Sequence, residues 1–591
     1  MSKTIKKYLT EKDKRLAVFL WLLILTFIVY RKSLGLTLYG DDWLVISKYL
    51  GGYGPGKAFG YFDPRVWISN YGFLYSISLL YKIFGENYIF YFIVSLISRA
   101  VLAFTIFLFI SGIYNFKTAL FGATFFAITL IGAETTDFVY NFNSYWGITA
   151  ALLGLKIFLE SKSLRSKLKA WVLMLIGYIL VPIRLFILPF LMFLLIFFRE
   201  FTTRKSVKIK NLPTILLLSS FGLFPFLILK VVDPFLGWQT NLTFMIREGT
   251  GSGLNMITQG KYDFLLTPFT TLGKMIIPLG PNMMQEKGWL VYPIFNFIRY
   301  GFVLLVLGFL FFISYFRKSA VFLSILIATV LLIFLKFFVR YQNTYNLKDF
   351  AFFSWTYFGL IMSVIFIIHF IYLLAKKNTK KLLLFLIGIV FLIAFMFPWL
   401  YIPGVIFEPQ HRYLVLSSVG FSILLAITLS PAQTSQKLKI YAQTALLSLI
   451  ILVHVFSVNN YFRYQLKGRN TRLNQYIFTQ IQSYVPQLPS DKVTVFYFEN
   501  FDPWVYENLL RASFGYHMQL IYNSKFDEQI LPFSVANFND LEKAVSDKSF
   551  TDILGYKEMP DVKNVYGFRM SDGGIENITD STRARLSNLE K

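Results

Sequence analysis

Residues 16–30 read LAVFLWLLILTFIVY, fifteen consecutive residues without a charge, with a pair of basic residues on either side. A helix over 14–33 is about 30 Å long, which matches the hydrocarbon thickness of a bilayer. Similar apolar runs recur as far as Val458, and 55% of the 591 residues are hydrophobic. One soluble core cannot bury that much apolar surface, so the sequence predicts an all-α polytopic membrane protein.

Basic loops set the expected orientation, because Lys and Arg are retained on the cytoplasmic side. All the strongly basic loops fall on one side if the chain crosses the membrane about thirteen times. The single crossings are expected at 14–33, 88–112, 117–133, 145–160, 212–232, 295–315, 319–338, 351–374, 382–401, 412–430 and 440–458. The run 170–198 is read as a hairpin of two short helices that turns at Pro182, where proline interrupts the helix.

This arrangement places the protein in the cell membrane with a cytoplasmic N-terminus and two long outer loops, 34–87 and 233–292. Loops of that length are usually functional. A helix lying in the membrane interface is expected over 71–84 of the first loop, because apolar and aromatic residues run through it. The Gly-rich stretch 249–260 of the second loop is expected to be mobile.

Two domains are predicted, a transmembrane domain over 1–458 and an extracytoplasmic α/β tail over 459–591. The first has 43 Lys and Arg against 16 Asp and Glu, whereas the tail has 15 against 16. The basic excess therefore belongs to the membrane loops, and nucleic acid is not an expected partner. In the tail, 493–498 alternates like a strand, a helix begins near Pro503, and 518–522 is a possible second strand.

The absence of cysteine excludes disulfides, thiolate metal sites and cysteine nucleophiles. The charged residues of the outer loops therefore carry the candidate chemistry. Asp41 and Asp42 are the first candidates, a few residues beyond the first crossing. Adjacent carboxylates repel each other, so one of them needs a proton, a cation or a hydrogen-bond donor. An ordinary polar helix end is the alternative.

An acidic pair after the first helix resembles the first-loop motif of GT-C membrane glycosyltransferases. That family includes protein O-mannosyltransferases, the lipid A aminoarabinose transferase and the oligosaccharyltransferase catalytic subunit. The stretch 70–87, with its Ile-Phe-Gly-Glu-Asn ending, is similar to bacterial O-mannosyltransferase-like proteins. Arg99 stands where many of them carry a histidine, so that position is not carried over. The resemblance covers the first 160 residues and implies that Asp41 and Asp42 are catalytic.

Glu134 and Asp137 form a second acidic motif in the short loop after the third crossing. It resembles the motif that helps oligosaccharyltransferases to hold a divalent metal beside the first-loop acids. Carboxylate oxygens suit Mg²⁺ or Mn²⁺, so Asp41, Asp42, Glu134 and Asp137 are the ligands to test. A solvated loop without metal is the alternative, as is a role for these acids in acceptor binding.

Glu408, His411 and Arg412 lie together before the twelfth crossing. Free N–H groups at a helix start and a guanidinium favour an anion, so His411 and Arg412 are candidates for binding the donor phosphate. This element resembles the Arg-Tyr element of GT-C enzymes, and Glu408 is grouped with the acceptor or metal loop. Arg412 as an interfacial anchor is the alternative.

Three further basic residues, Arg184, Lys336 and Arg340, could approach the same phosphate, although Lys336 and Arg340 could equally extend towards the membrane surface. The resulting hypothesis is a glycosyltransferase that moves a sugar from a polyprenyl-phosphate donor to a lipid, glycan or protein acceptor on the outer face, by inverting displacement. A transporter or flippase of lipid-linked sugars, an O-antigen polymerase or ligase, and a scaffold are the alternatives.

Overall fold

The computed structural model describes residues 11–50, 75–161, 163–192, 194–195, 241–278, 347–403, 405–429, 437–489, 493–511, 514–522, 531–546, 549–552, 555–558 and 561–588, with the isolated positions 220, 230, 231 and 234. The predicted crossings at 295–315 and 319–338 lie outside the described residues, as does almost all of 212–232. So do Lys336 and Arg340.

Helices make up most of the described chain before residue 490. They are α1 Glu11–Tyr30, α2 Asp41–Leu50, α3 Tyr75–Phe84, α4 Tyr88–Ile113, α5 Phe116–Ile128, α6 Glu134–Asp137, α7 Asn143–Glu160, α8 Leu164–Leu180, α9 Asn241–Thr258, α10 Thr267–Ile276, α11 Leu347–Ala375, α12 Thr379–Leu392, α13 Met396–Tyr401, α14 Val415–Leu429, α15 Lys437–Gly468 and α16 Thr471–Tyr484. Single 3-10 turns cover Arg31–Gly35, Val139–Phe142, Tyr262–Leu266, Ile393–Phe395 and Arg412–Leu414.

Four stretches of the described helices are long and apolar enough to cross a membrane: Glu11–Gly35, Tyr88–Ile113, Phe358–Ala375 and Thr379–Tyr401. Their sequences contain few charges over a length that spans the hydrocarbon layer. The chain is therefore a membrane protein of mostly helical fold. The figure of thirteen crossings and the orientation remain predictions.

Glycines bring α7 and α8 into close contact. A Cβ at Gly154 would lie 2.7 Å from the Ala170 carbonyl oxygen, and Gly177 lies directly against the Gly147 carbonyl. Small residues allow helix backbones to approach closely, which is how apolar helices gain packing energy where no hydrophobic effect drives them together. α8 then ends at Leu180, so the helix break predicted near Pro182 is confirmed.

Arg99 is fully buried in the middle of α4 and stabilises the end of α5. Its guanidinium donates to the Phe126 and Thr129 carbonyl oxygens at 3.0 and 2.6 Å and to the Tyr145 hydroxyl at 3.2 Å. The last carbonyls of a helix have no partner within the helix and carry its negative dipole end, so a cation is stable there. The Tyr145 hydroxyl also shares a 2.6 Å hydrogen bond with Thr136, which ties α6 to this buried network.

After residue 490 the chain forms β1 Val495–Glu499, α17 Pro503–Val505, a π-helical turn Tyr506–Arg511, α18 Phe514–Ile521, β2 Phe533–Val535, α19 Phe538–Ser546, β3 Ser549–Asp552, β4 Gly555–Glu558, a 3-10 turn Val562–Asn564, β5 Val565–Ser571, β6 Gly574–Asn577 and α20 Thr579–Ser587. Strands β2, β1, β5 and β6 lie side by side in this order. β1 is parallel to both neighbours, β5 and β6 are antiparallel, and β3 pairs with β4 separately. The strand predicted over 493–498 corresponds to β1.

One local prediction is wrong, and one helix was not expected. The stretch 518–522 lies at the end of helix α18, because Phe514 and Met518 are one helical turn apart and both pack in the apolar cluster against Phe496. Most of the Gly-rich stretch 249–260 belongs to α9, where Met256 packs against a second apolar cluster.

α15 also differs from expectation, because it continues ten residues beyond the predicted end at Val458. Its end meets the first loop, where Leu36 and Asn470 form a β-bridge and the Thr37 N–H donates to the Arg469 carbonyl at 2.9 Å. Further along the first loop, the Trp43 ring stacks on His517 of α18 with 3.7 Å between ring centres. The helix α2 is therefore held between the membrane helices and the C-terminal part.

The predicted orientation can be tested with single cysteines, since the chain has none of its own. Lys261, Lys380 and Ser483 are exposed. We expect Lys261→Cys and Ser483→Cys to react with a membrane-impermeant thiol reagent in intact cells, because both lie on the predicted outer side. Lys380→Cys is the matched control and should react only after permeabilisation. Protection of Ser483→Cys in intact cells would contradict the orientation.

Candidate active site

Asp41 and Asp42 form the first turn of α2, and the structure gives them different surroundings. Asp42 is completely buried, and its carboxylate accepts the backbone N–H groups of Tyr140 at 3.0 Å and Tyr39 at 3.5 Å. Gly40 precedes the pair with a φ of +54°, a left-handed conformation that glycine adopts without strain. This turn directs the backbone so that only Asp42 enters the interior.

Asp41 is half-exposed, with 44% of its side chain accessible. Its Oδ2 atom accepts the Tyr140 hydroxyl at 3.1 Å and lies 3.4 Å from the Arg412 guanidinium. Tyr140 thus contacts both carboxylates, one through its backbone and one through its side chain. Asp41 is the carboxylate that an external molecule can reach.

Burial is the main reason that the pKa of Asp42 is raised to about 7, although the N–H groups of Tyr140 and Tyr39 oppose the shift. Burial likewise raises the pKa of Glu134 to about 7, against the opposing charge of Arg412. Both carboxyl groups therefore change protonation near neutral pH.

The second acidic motif is joined to the segment before α14 by backbone hydrogen bonds. The N–H of Gly132 donates to the Pro409 carbonyl at 2.9 Å, and the N–H of Glu134 donates to the Gln410 carbonyl at 2.7 Å. In return, the Glu134 carboxylate accepts the N–H of Arg412 at 3.2 Å. These bonds bring the acidic turn and the basic element together although the two are about 280 residues apart in the chain.

Arg412 lies over the rings of Phe138 and Tyr140, with 4.7 and 5.8 Å from its guanidinium carbon to the ring centres. Burial alone would lower its pKa, but Tyr140 and Asp41 raise it further than burial lowers it. Arg412 is therefore permanently charged and faces Asp41 across the mouth of the site.

His411 and Arg184 lie beside Arg412. Burial, followed by the charges of Arg412 and Arg184, lowers the pKa of His411 to about 3, so its imidazole is neutral. Its Nδ1 accepts the N–H of Tyr413 at 3.3 Å, which leaves the proton on Nε2. Arg184 donates to the Asn141 side chain at 2.8 Å and lies 5.4 Å from the centre of the Tyr413 ring.

Two observations make this basic cluster suited to an anion. Burial and the neighbouring Arg412 lower the pKa of Arg184, which means that the two guanidinium groups repel each other in a desolvated place. In addition, the Nε of Arg184 is buried and has no hydrogen-bond partner among the described residues. An anion between the two guanidinium groups would relieve both costs.

Asp137 is turned away from this cluster. It is fully buried, its Oδ1 accepts from Arg469 at 2.6 Å, and its Oδ2 accepts the Tyr461 hydroxyl at 2.6 Å. Glu408 is directed elsewhere too, because it pairs with Lys274 of α10 at 2.6 Å. The structure thus brings Asp41, Asp42, Glu134, His411, Arg412 and Arg184 together and places Asp137 and Glu408 in separate ion pairs.

The four carboxylates do not fit a shared metal. Both oxygens of Asp137 are in use, and both oxygens of Asp42 accept backbone N–H groups. Within the described part of the chain, no three His, Asp or Glu side chains are arranged to hold an ion.

Sequence reasoning missed Tyr140, Tyr461 and Arg469. Tyr140 could have been found as the aromatic residue three positions after the second acidic motif. Arg469 gives no such signal, because it lies in a polar stretch at the predicted start of the tail. Its role depends on a contact with Asp137, 332 residues away.

The raised pKa of Asp42 predicts a pH dependence of stability. Its folded-state pKa of about 7 lies above the ordinary value of 3.8, so the folded protein holds this proton more tightly than the unfolded chain. The contribution of Asp42 to the free energy of unfolding is therefore full below pH 3.8 and is lost as pH rises through 7. The loss is at most about 1.4 kcal/mol per pH unit. We expect Asp42→Asn to reduce the drop in melting temperature between pH 5 and pH 8. The exposed Asp572→Asn is the control, and equal drops in the wild type and Asp42→Asn would contradict the assignment.

The chain matches no family model and no curated protein sequence. Among solved structures it is similar to the archaeal oligosaccharyltransferase AglB from Archaeoglobus fulgidus in complex with an inhibitory peptide and a dolichol-phosphate, with a TM-score of 0.39, 13% identity, and coverage of 89% of this chain and 64% of that one. The Archaeoglobus fulgidus oligosaccharyltransferase complex with Zn and sulfate gives a TM-score of 0.38, 13% identity, and coverage of 88% and 62%. The form of that enzyme tethered with an acceptor peptide containing the NVT sequon gives a TM-score of 0.41 and 14% identity, with coverage of 95% of this chain and 69% of that one.

The chain thus spans less than two thirds of the length of the first two structures it matches. At these TM-scores the likeness is partial, and the functional argument rests on the chain's own side chains.

Proposed function

We propose that this chain is a membrane glycosyltransferase that moves a sugar from a polyprenyl-phosphate-linked donor to an acceptor on the extracytoplasmic face, by inverting displacement. The observation that carries the proposal is the half-exposed carboxylate of Asp41, 3.4 Å from the Arg412 guanidinium, with a second guanidinium, that of Arg184, beside the ring of the next residue, Tyr413. A carboxylate can accept a proton from a hydroxyl or amide acceptor, and the guanidinium groups can bind a phosphate.

Asp41 is the proposed base. The acceptor oxygen or nitrogen attacks the anomeric carbon, and its proton passes to an Asp41 oxygen. The bond between the anomeric carbon and the phosphate oxygen breaks, and its electron pair leaves with the polyprenyl phosphate. The Tyr140 hydroxyl, 3.1 Å from Asp41 Oδ2, fixes the carboxylate and leaves its other oxygen for the acceptor.

Arg412 and Arg184 are the proposed phosphate ligands. Negative charge grows on the phosphate as the sugar leaves, and positive charges already fixed in place stabilise it without reorganisation. The neutral His411 adds an Nε2–H donor without adding charge. Asp42 and Glu134 hold the loops through backbone N–H groups and complete the electrostatic surroundings.

The remaining assignments are part of the same proposal. The domain over 1–458 supplies the site, and the tail over 459–591 completes it. The acceptor is a lipid, a glycan or a protein, and the site lies on the outer face of the cell membrane. Lys336 and Arg340 remain candidates for the donor phosphate.

Asp41→Asn should lower kcat by about 10²-fold, because an amide cannot accept the proton. Asp42→Asn should lower it less, since Asp42 has no exposed surface and acts only through the loop. Transfer from radiolabelled polyprenyl-phosphate sugars by the purified protein gives both values. Asp572→Asn, on an exposed turn, should behave as wild type. Small and equal effects at Asp41 and Asp42 would remove Asp41 from the role of base.

Arg412 can be tested through donor binding. Arg412→Lys keeps the charge but loses the planar fork, and Arg412→Ala loses both, so activity and affinity for polyprenyl phosphate should fall in the order Arg, Lys, Ala. Binding of polyprenyl phosphate to the detergent-solubilised protein measures the affinity. The exposed Arg472→Ala is the control. An unchanged affinity in Arg412→Ala would assign the phosphate to other residues.

A further inference from the structure

Arg469 occupies a position between the two acidic loops. One of its nitrogens donates to Asp137 Oδ1 at 2.6 Å, and the other donates to the Thr37 carbonyl at 2.9 Å and to the Asp137 carbonyl at 3.4 Å. Thr37 belongs to the first loop and Asp137 to the second acidic motif. A single cation therefore joins the two loops whose carboxylates a divalent metal was expected to join.

We propose that Arg469 is the resident cation of this acidic site, that it positions the first loop for catalysis in place of a divalent metal, and that transfer needs no metal ion. The proposal rests on the transferase function proposed above.

Most carboxylate oxygens near Arg469 already accept a hydrogen bond from the protein. Asp137 gives one carboxylate oxygen to Arg469 and the other to Tyr461, whose hydroxyl lies at 2.6 Å. Asp42 gives its oxygens to two backbone N–H groups, and Glu134 gives one to the N–H of Arg412. A Mg²⁺ ion requires near-octahedral oxygen coordination. Among these carboxylates Asp42 and Asp137 are fully buried. Asp41 and Glu134 are the two within reach of a hydrated ion, and each already contacts Arg412, Asp41 through the guanidinium and Glu134 through the backbone N–H.

The Arg469 side chain also takes up the space between the two acidic loops. The guanidinium carbon of Arg469 lies over the Tyr39 ring, 3.3 Å from its centre, and the side chain is fully buried. A planar cation stacked on an aromatic ring is a stable arrangement for arginine and is not available to a hydrated metal ion. The side chain therefore fills the place between the loops by itself.

The same contacts connect Arg469 to the proposed base. Tyr39 is stacked on Arg469, and its N–H donates to Asp42, the neighbour of Asp41. Movement of the guanidinium would displace Tyr39 and, with it, the first turn of α2. A shift of about 1 Å in a reacting group can reduce the rate by about 10²-fold. Arg469 is accordingly a positioning residue without contact to the substrate.

The first experiment uses wild-type protein and metal alone. After treatment with EDTA and desalting, Mn²⁺ is titrated in and its binding is followed by electron paramagnetic resonance. We expect no stoichiometric Mn²⁺ site, and transfer activity in EDTA within about 2-fold of that in Mg²⁺ or Mn²⁺. One tightly bound Mn²⁺ per chain that Asp41→Asn removes, or activity abolished by EDTA and restored by Mn²⁺, overturns the proposal.

The second experiment uses variants. Arg469→Ala should lower kcat by about 10²-fold with little change in donor KM, and millimolar guanidinium should restore about 10-fold, whereas NaCl at equal ionic strength should not. Arg469→Lys should be intermediate, because a lysine ammonium cannot join both loops in the same plane. The exposed Arg472→Ala is the matched control. Wild-type kcat in Arg469→Lys and Arg469→Ala overturns the positioning role.

The two experiments separate failure of this proposal from failure of the proposed function. If no polyprenyl-phosphate sugar is transferred by the wild type, the transferase assignment fails. The Mn²⁺ titration still decides whether the acidic loops hold a metal, and it does not depend on activity. If Arg469→Ala does not give a monodisperse protein, the kcat of Arg469→Lys and the wild-type activity in EDTA decide between the two outcomes.

Discussion

The buried ion pair between Arg469 and Asp137 is the contact on which the arrangement of the site depends. Both side chains are completely inaccessible to water, so either charge without the other would cost about 3–5 kcal/mol. That cost keeps the end of α15 and the turn α6 together. Because the same guanidinium binds the Thr37 carbonyl and stacks on Tyr39, this ion pair also holds the first loop in position.

Burial then separates the acidic residues into different roles. Burial brings the pKa of Asp42 and of Glu134 to about 7, Asp137 is neutralised by its partner, and 44% of the Asp41 side chain is exposed. The opposite side of the site holds two guanidinium groups and a neutral imidazole. The proposed displacement at a sugar phosphate depends on this accessible carboxylate and on the fixed positive charges beside it.

Helix bounds within the apolar runs could be predicted well, because long uncharged stretches determine them almost alone. The helix expected over 88–112 is Tyr88–Ile113, and the one expected over 145–160 is Asn143–Glu160. The differences lie in shorter elements: α9 was not expected within the second loop, and α18 is too short to be told from a strand. At the site, Asp41, Asp42, Glu134, His411, Arg412 and Arg184 could be found from residue type and loop position. Arg469 could not, since nothing local marks a residue whose partners are 332 and 432 residues away.

The contacts of the first loop with Arg469 and His517 can form only late in the synthesis of the chain. Thr37 and Trp43 are made early, whereas Arg469 and His517 follow more than 400 residues later. At about 5–20 residues per second, α2 waits on the order of tens of seconds before its binding surface exists. For most of its translation a growing chain therefore has an acidic first loop without the contacts to Arg469 and His517. The geometry of the candidate site is completed only after residue 517 has been made.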